Sequence, residues 1–264
     1  MLVHRVMTSL ILLFLTYLVF FQISDNAFIA ATTIFFAIGV YELVRMYNFS
    51  EINKWGVVIL FIVLSIYFGY TNLDITQIIR GVCVGLWCFI VPFILISQPK
   101  KIHKFIVALL ALTVFTTASY ALILLREALG VWQLISIMAI AWIADIGAYF
   151  VGRKFGRHKL APHISPGKSI EGTIAGIVLV IVYLLILKYF NLAVYLYNYM
   201  AVFKFGFILV IASIVGDLFE SWLKRVAMVK DSGAILPGHG GIFDRIDSLI
   251  AVLAMSFAMI RGLL

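Results

Sequence analysis

Long, uninterrupted runs of apolar residues are the feature that most limits what this chain can fold into. A transmembrane helix needs about 20 predominantly apolar residues. Because the runs are continuous rather than alternating, they favour helices over the strands of a membrane barrel. We predict an all-α fold, a polytopic membrane helix bundle of about nine transmembrane helices. The predicted spans are residues 6–23, 27–44, 55–71, 79–97, 105–125, 131–150, 172–190, 205–223 and 247–263.

The composition supports lipid as the main solvent of this chain. Hydrophobic residues make up 64% and charged residues 12% of the sequence, whereas soluble domains carry about 25% charged residues. The N-terminal 21 residues resemble a secretory signal, with Arg5 before an apolar stretch. No small-x-small cleavage site follows them, so we predict an uncleaved first span.

The positions of Lys and Arg predict the orientation of the bundle. With the N-terminus inside and the C-terminus outside, 15 Lys and Arg residues fall on the cytoplasmic side and 5 on the other. This arrangement places two polar loops, 151–171 and 224–247, on the cytoplasmic side. The formal charge of +8 is then assigned to these loops and to a site for anionic groups, and no nucleic-acid partner is expected.

We divide the chain at residue 130. Residues 1–130 are predicted to hold about five N-terminal transmembrane helices. Residues 131–264 are predicted to be a catalytic transmembrane region that carries both polar loops. The two parts are expected to form one compact unit.

Three acids lie in or beside the apolar spans: Asp145, Asp217 and Glu220. A charged side chain at the centre of a bilayer costs about 2.5–3.5 kcal/mol on insertion scales, so such residues usually have a function. Asp217 precedes Lys224 by seven residues, about 10 Å along a helix. We therefore expect Asp217 to lie in a cavity below the cytoplasmic interface.

The spacing of these acids predicts a cation site. Asp244 and Asp247 are three residues apart at the start of the last span, so facing helices would bring them to Asp217. Three convergent carboxylates suit a hard cation such as Mg²⁺, which takes its other ligands from water and phosphates. The alternative is an ion-paired polar core, with Asp217 bound to Lys224 and Asp244 bound to Arg245. The predicted helix that contains Asp217 carries polar residues on one face, at i, i+3, i+4 and i+7: Asp217, Glu220, Ser221 and Lys224.

The stretch DSGAILPGHGGIFDRID, residues 231–247, interrupts the apolar sequence. Glycine lacks Cβ, so backbone N–H groups can approach an anion closely. A phosphate site is one interpretation, and an ordinary Gly/Pro turn is the other. The residues that would form the phosphate site are Gly238, His239, Gly240 and Gly241, with Lys224, Arg225 and Lys230 upstream.

The polar loop 151–171, taken with its flanking residues as 145–172, is basic and rich in glycine. Its cations would face anionic lipid headgroups, or they are ordinary positive-inside residues. Pro166 and Gly167 predict a turn, and Ser169 with Glu171 is expected to cap the next helix. Lys168 would then lie near a helix N-terminus, where an anion can also bind. The cations of this loop are Arg153, Lys154, Arg157 and Lys159.

The sequence SWLKRVAMVKDSGAILPGHGGIFDRID, residues 221–247, resembles the motif of the phosphatidate cytidylyltransferase (CDP-diacylglycerol synthase) family. Its elements are Ser, Lys-Arg, Lys-Asp, Leu-Pro-Gly-His-Gly-Gly and Asp-Arg-x-Asp, and all are present. GDLFES and residues 145–172 also resemble family segments, whereas the first five spans match only in hydropathy. Two positions differ: Ile146 stands where Thr or Ser is usual, and Ser169 where Thr is usual.

The resemblance implies transfer of a cytidylyl group from CTP to phosphatidic acid, with release of pyrophosphate. Hydropathy and loop placement predict an active site that faces the cytoplasm, in a bacterial cytoplasmic (inner) membrane. The sequence does not fix the oligomeric state, and a homodimer is considered only because C₂ dimers are the commonest assembly among soluble oligomers. Mg²⁺ is the expected cofactor, with a second cation as an alternative. The implied catalytic residues are Asp217, Lys224, His239, Asp244 and Asp247, of which the three aspartates bind the metal. The implied substrate-binding residues are Asp145, Lys168, Ser221, Arg225, Lys230, Gly238, Gly240, Gly241 and Arg245.

Two other functions remain open at this point. One is a different CTP-dependent membrane lipid enzyme, either a CDP-archaeol-type synthase or a polyprenol or phytol kinase. The other is a cation transporter, in which the intramembrane acids form an ion path. A transporter would leave the basic, glycine-rich loop without a role.

Overall fold

The computed structural model describes residues 13–70, 75–235 and 240–260, and most of them are helical. Residues 13–21 form a helical segment ahead of the first complete helix. The helices are α1 (Asp25–Met46), α2 (Glu51–Tyr70), α3 (Thr76–Val84), a π-helical segment (Gly85–Ile90), α4 (Val91–Ser97), α5 (Lys104–Leu129), α6 (Val131–Phe155), α7 (Ile170–Tyr189), α8 (Tyr199–Val226) and α9 (Phe243–Met259). Strands β1 (Lys159–Ala161) and β2 (Ser165–Ser169) lie between α6 and α7.

The membrane bundle predicted from hydropathy is confirmed. Within the described ranges, seven helical segments are long and apolar enough to cross a membrane. They correspond to the second through eighth predicted spans. The segment that matches the fourth predicted span, Thr76–Ser97, runs through the π-helical segment. The first predicted span lies largely outside the described residues. The ninth is helix α9, whose 17 residues fall short of the roughly 20 that a full span needs.

Local sequence signals account for several helix ends. Ser24 caps α1 by accepting a hydrogen bond from Ala27 N at 3.4 Å. Gly130 adopts φ +82°, a conformation that glycine tolerates, and the chain turns there from α5 into α6. Basic residues in the last turns of the helices favour the negative end of the helix dipole, and they include Arg45, Arg126, Arg153, Lys154, Lys188, Lys224 and Arg225.

The chain divides into two compact units made of interleaved segments. The first comprises residues 1–75, 99–123 and 223–246. In it α1 packs on α2, and buried hydroxyl groups join three helices. Ser65 Oγ lies 2.8 Å from Thr33 Oγ1 and 2.8 Å from Ser119 Oγ. Hydrogen bonds between apolar helices of this kind help to fix which faces pack together.

The second unit comprises residues 76–98, 124–222 and 247–264. Its most extensive packing is between α6 and α7, where glycines allow close approach. A Cβ at Gly176 would lie 2.9 Å from Ala144 O, and one at Gly172 would lie 2.6 Å from Ala148 O. Elsewhere in this unit the Trp87 ring meets Phe219 edge-on at 6.0 Å. The predicted division at residue 130 stays a prediction.

The loop between α6 and α7 contains a β-hairpin, which corrects the prediction of a turn at Pro166 and Gly167. Strands β1 and β2 pair antiparallel, with Lys159 opposite Ser169 and Ala161 opposite Ser165. Pro166 and Gly167 therefore lie in β2, and the turn falls at residues 162–164. A proline is tolerated in a two-stranded ribbon because an edge strand leaves some of its N–H groups without a ladder partner.

Candidate active site

A cavity of about 580 Å³ lies within the second unit. This volume is within the usual range for sites that bind small molecules. Helices α6, α7 and α8 and the β-hairpin form its walls. Asp145, Lys168 and Asp217 line it together with the basic residues Arg153 and Lys159. The prediction that Asp217 lies in a cavity is confirmed, and the 145–172 loop supplies much of the cavity's wall.

Lys168 and Asp217 form an ion pair across this cavity. Lys168 Nζ lies 2.6 Å from Asp217 Oδ2, and the two side chains are 22% and 27% exposed. The other carboxylate oxygen of Asp217 accepts a hydrogen bond from Ser221 Oγ at 3.3 Å. Asp217 and Ser221 therefore share a face of α8, as their spacing predicted.

Two further acids lie near this pair. Asp145 Oδ2 accepts a hydrogen bond from Ser248 Oγ at 3.2 Å, and Asp247 Oδ1 accepts one from Ser248 N at 2.7 Å. Asp145, Asp217 and Asp247 are close enough for their charges to interact, and Lys168 acts on Asp145 and Asp247 as well. Asp247 therefore lies near Asp217, whereas the convergence of Asp217, Asp244 and Asp247 on one ion, predicted from their spacing, is not found among the described residues.

Gly216 explains how α9 reaches α8 beside these acids. A Cβ at Gly216 would lie 2.5 Å from Asp247 O and 3.2 Å from Ser248 Cα, closer than side chains normally pack. The backbones of the two helices therefore touch at the residue just before Asp217. This close approach holds Asp247 near the cavity-lining acid.

The hairpin is anchored so that Lys168 is well placed. Ser169 Oγ accepts a hydrogen bond from Gly172 N at 3.2 Å, which confirms Ser169 as the N-cap of α7. Glu171 lies in the first turn of α7, where its negative charge suits the helix N-terminus. Its carboxylate accepts hydrogen bonds from Arg157 N and His158 N, and it lies 2.7 Å from His158 Nδ1. These contacts fix both ends of the hairpin that carries Lys168.

A second polar cluster lies in the first unit around Asp244. Asp244 Oδ1 accepts from Lys224 Nζ at 2.7 Å, and the two side chains are 7% and 16% exposed. Asp244 Oδ2 accepts from Ser232 N, Ser232 Oγ and Gly241 N at 2.9, 3.0 and 2.9 Å. A carboxylate held by this many donors has a well-defined orientation.

Tyr47 ties the end of α1 to the residue before Lys224. Its hydroxyl donates to Leu223 O at 3.0 Å. Burial raises the pKa of Tyr47 above its ordinary value, so the hydroxyl keeps its proton and remains a donor. This contact fixes the last turn of α8, which carries Lys224.

The ion pairs differ from those considered in the sequence analysis. Asp217 pairs with Lys168 and Asp244 pairs with Lys224, whereas the sequence alternative named Lys224 and Arg245 as their partners. The predicted partners were taken from residues near in sequence, whereas both observed partners come from other elements. Both acids are thus paired, as the polar-core alternative supposed, although their partners differ.

The remaining predicted site residues are placed as follows. Gly240 has φ +83°, and a Cβ there would lie 2.9 Å from Asp244 Oδ2, so a side chain at this position would press on that carboxylate. Gly238 and His239 lie outside the described residues. Ile146 is 55% exposed and is not among the residues that line the cavity. The solvent- or lipid-accessible cations are Arg225, Lys230 and Arg245.

The carboxylates are the groups with the right chemistry for a hard cation. In the part of the chain that the structure describes, no three His, Cys, Asp or Glu side chains lie close enough to hold one ion together. Mg²⁺ commonly takes only one or two carboxylates and completes its shell with water and substrate phosphates. Asp217, which lines the cavity, and Asp247, on the helix that touches α8 at Gly216, are the two acids that would fit that requirement.

The sequence analysis missed Glu42, a buried acid on α1. Its side chain is fully buried and its carboxylate accepts hydrogen bonds from Ser232 Oγ, Ile242 N and Phe243 N. Glu42 lies within the second predicted span, so the criterion that singled out Asp145 and Asp217 also applies to it. Its partners lie some 200 residues further along the chain, a separation that local spacing cannot reveal.

Helices long and apolar enough to span a membrane, three of which line a polar cavity, define this chain as an integral membrane protein. The sequence matches the cytidylyltransferase family over residues 3–263, and the chain belongs to that family. It is accordingly a nucleotidyltransferase.

Three bacterial relatives share substantial identity with the chain. The phosphatidate cytidylyltransferase of Thermotoga maritima is 31% identical over 251 residues, which cover 90% of this chain and 89% of that protein. The Haemophilus influenzae enzyme of the same name is 45% identical over 47% of this chain and 44% of its own length. The one from Pseudomonas aeruginosa is 40% identical over 57% of this chain and 56% of its own length. The chain therefore aligns with about half the length of the last two relatives and most of the first.

Proposed function

We propose that this chain is a phosphatidate cytidylyltransferase that converts CTP and phosphatidic acid into CDP-diacylglycerol and pyrophosphate. The observation that carries the proposal is the cavity in which Lys168 and Asp217 pair beside Asp145. A cavity that combines cations with acids suits substrates that are polyanions bound with a metal. Family membership and the names of the relatives support the same reaction.

The reaction needs charge neutralisation more than it needs a base. An oxygen of the phosphatidate phosphate attacks the α-phosphorus of CTP, and the bond from that phosphorus to the bridging oxygen of the β-phosphate breaks. Pyrophosphate takes the electron pair and leaves. The nucleophile is already anionic at neutral pH, so the enzyme must chiefly hold two polyanions together and stabilise the leaving group.

The chain's own residues divide into two roles in this proposal. In the cavity, Lys168 neutralises phosphate charge and Asp145 keeps the wall polar, while Ser221 holds one oxygen of Asp217 in place. In the first unit, Lys224 is a further phosphate ligand and Asp244 fixes its ammonium group. The remaining predicted contacts with the triphosphate and the lipid headgroup come from Arg225, Lys230, Gly238, His239, Gly240, Gly241 and Arg245.

Mg²⁺ is the proposed cofactor, and the neighbouring carboxylates of Asp217 and Asp247 are its proposed ligands. Asp244 was the third ligand predicted from its spacing to Asp247, but no three described acids lie close enough to share one ion, so the proposal keeps two carboxylates, and a second cation remains part of it. When bound, the metal would neutralise phosphate oxygens and help to align the triphosphate.

The proposed location follows from the chemistry of the substrates. CTP and pyrophosphate are water-soluble, whereas the acyl chains of phosphatidic acid stay in hydrocarbon. The active site is therefore placed at the cytoplasmic face of a bacterial inner membrane, with the N-terminus inside, in line with the excess of Lys and Arg in the cytoplasmic loops. A homodimer is the proposed assembly.

Product analysis in proteoliposomes tests the proposed function. The purified protein is incubated with CTP and Mg²⁺ in vesicles that contain phosphatidic acid, a polyprenol, or neither lipid. The proposal predicts pyrophosphate and CDP-diacylglycerol only with phosphatidic acid. CDP and a phosphorylated polyprenol would identify a kinase instead, and cation flux without turnover would identify a transporter.

A further inference from the structure

We infer that Glu42 is a positioning residue, whose buried carboxylate holds the backbone at residues 242–243 and Ser232 so that Asp244 is correctly oriented. The inference rests on the proposed function in so far as Asp244 takes part in the reaction. Glu42 belongs to α1, near the other end of the chain from Asp244, and both lie in the first unit.

The carboxylate of Glu42 is placed at the start of α9. Oε1 accepts from Ile242 N at 3.1 Å and Oε2 accepts from Phe243 N at 2.8 Å. The first N–H groups of a helix have no partner within the helix, and a negative charge near them is favoured by the helix dipole. Glu42 supplies from a distant helix the acceptors that a local capping residue would normally provide.

Ser232 links this carboxylate to Asp244. Its hydroxyl lies 3.1 Å from Glu42 Oε2 and 3.0 Å from Asp244 Oδ2. A hydroxyl carries one hydrogen, so it donates to one carboxylate at a time while remaining within reach of both. Ser232 N also donates to Asp244 Oδ2 at 2.9 Å. A shift of Glu42 would therefore move Ser232 and, through it, the carboxylate of Asp244.

Two glycines leave room for the Glu42 carboxylate. A Cβ at Gly233 would overlap Glu42 Oε1, and one at Gly241 would lie 2.6 Å from Glu42 Oε2. Gly241 N in turn donates to Asp244 Oδ2. Gly233 and Gly241 thus leave room for a carboxylate from α1, which gives these two small residues a packing role.

The chemistry requires an acid here rather than a polar residue in general. In Glu42→Gln, the side-chain NH₂ group replaces one acceptor oxygen. Whichever way the amide is turned, it then faces Ile242 N–H or Phe243 N–H, and a buried donor loses its partner. The neighbouring backbone and Asp244 are expected to shift, although the size of the side chain is unchanged.

The test compares Glu42→Gln with Ser232→Ala and with a matched control, Ser65→Ala. Ser65 lies in the same unit, is buried, and joins Thr33 to Ser119 away from Asp244. Each protein is reconstituted with phosphatidic acid. The readouts are kcat and KM for CTP, the thermal midpoint, and backbone hydrogen exchange of the peptide 240–247 by mass spectrometry.

We expect Glu42→Gln and Ser232→Ala to lower kcat at least about tenfold and Glu42→Gln to speed exchange in 240–247 by a similar factor. Ser65→Ala should lower the thermal midpoint without either effect. Wild-type kcat and exchange in Glu42→Gln would overturn the inference, as would losses that follow the thermal midpoint in the same proportion as in Ser65→Ala. If Glu42→Gln does not assemble, wild-type kcat in Ser232→Ala would overturn it. If the wild-type protein makes no CDP-diacylglycerol, the proposed function fails, and hydrogen exchange alone decides whether Glu42 holds the segment.

Discussion

Lys168 Nζ lies 2.6 Å from Asp217 Oδ2, and the two residues come from strand β2 and helix α8. Each side chain is about a quarter exposed, and the cost of removing two charges from water offsets much of their attraction, so the pair is weak evidence for stability. Its main importance is therefore to the charge of the cavity. The lysine is held at a defined position among acids, where its ammonium group can pair with an incoming phosphate.

Replacing Lys168 with methionine should abolish most activity while leaving the fold intact. The variant keeps much of the apolar stem but removes the cation from the cavity. We expect kcat to fall about 10²–10³-fold, the range seen when one electrostatic stabiliser is lost. Initial rates of CDP-diacylglycerol formation measure the effect. Lys101→Met, which removes an exposed lysine in the segment before α5, serves as the control and should retain wild-type rates.

Asp217→Asn and Asp244→Asn should each abolish turnover at ordinary Mg²⁺ concentrations, because the first removes a proposed metal ligand and the second removes the charge that holds the Lys224 ammonium group. Both variants should still insert into membranes, since neither residue is in the apolar core. Glu127→Gln, an exposed change at the end of α5, is the matched control. Wild-type turnover in either aspartate variant would remove that residue from its proposed role.

Metal binding also predicts a stability effect that is independent of turnover. A ligand at about 100 times its dissociation constant stabilises the folded state by about 2.7 kcal/mol. Mg²⁺ should therefore raise the thermal midpoint of the wild-type protein, and a chelator should reverse the change. An equal rise in Asp217→Asn would show that the ion binds elsewhere.

Gly216→Ala should separate α8 from α9 and disturb the acids beside it. The added Cβ would meet Asp247 O at 2.5 Å and Ala251 Cβ at 3.0 Å, and overpacking of this kind costs about 1–3 kcal/mol. We expect a lower thermal midpoint together with reduced kcat. Gly56→Ala is the same substitution on α2, where nothing lies within 4 Å of the new Cβ, and it should leave both quantities unchanged or slightly improve stability.

Ser169→Ala should destabilise the start of α7. Loss of an N-cap side chain costs about 0.5–2 kcal/mol, and the cap stands directly after Lys168. Ser169→Thr keeps the hydroxyl group and should restore most of the lost stability. Thermal unfolding followed by circular dichroism measures both variants. Equal midpoints for Ser169→Ala and the wild-type protein would show that the cap contributes little.

The helices could be predicted because a bilayer requires long apolar segments. Seven of the predicted spans appear in the described ranges as helices long and apolar enough to cross a membrane. The hairpin was missed because Pro166 and Gly167 indicated a turn. In the structure both residues lie in strand Ser165–Ser169, which pairs with Lys159–Ala161. Such pairing depends on a neighbouring segment and is not visible in the local composition.

The site was predicted in part for the same reason. Asp217 and Asp247 could be linked because regular helix spacing and apolar surroundings marked both. Lys168 was placed near a helix N-terminus, but its pairing with Asp217 depends on how the hairpin meets α8. Glu42 contacts backbone N–H groups about 200 residues away, and sequence spacing carries no information on contacts across that separation.

The fate of the phosphate label in CTP tests the central claim most directly. Proteoliposomes with phosphatidic acid are incubated with CTP that is radiolabelled at either the α- or the γ-phosphate, and lipid and water-soluble products are separated. The account predicts that the α-label enters the lipid and the γ-label leaves as pyrophosphate, with both transfers absent in Lys168→Met. Entry of the γ-label into lipid, with CDP as the soluble product, would contradict it.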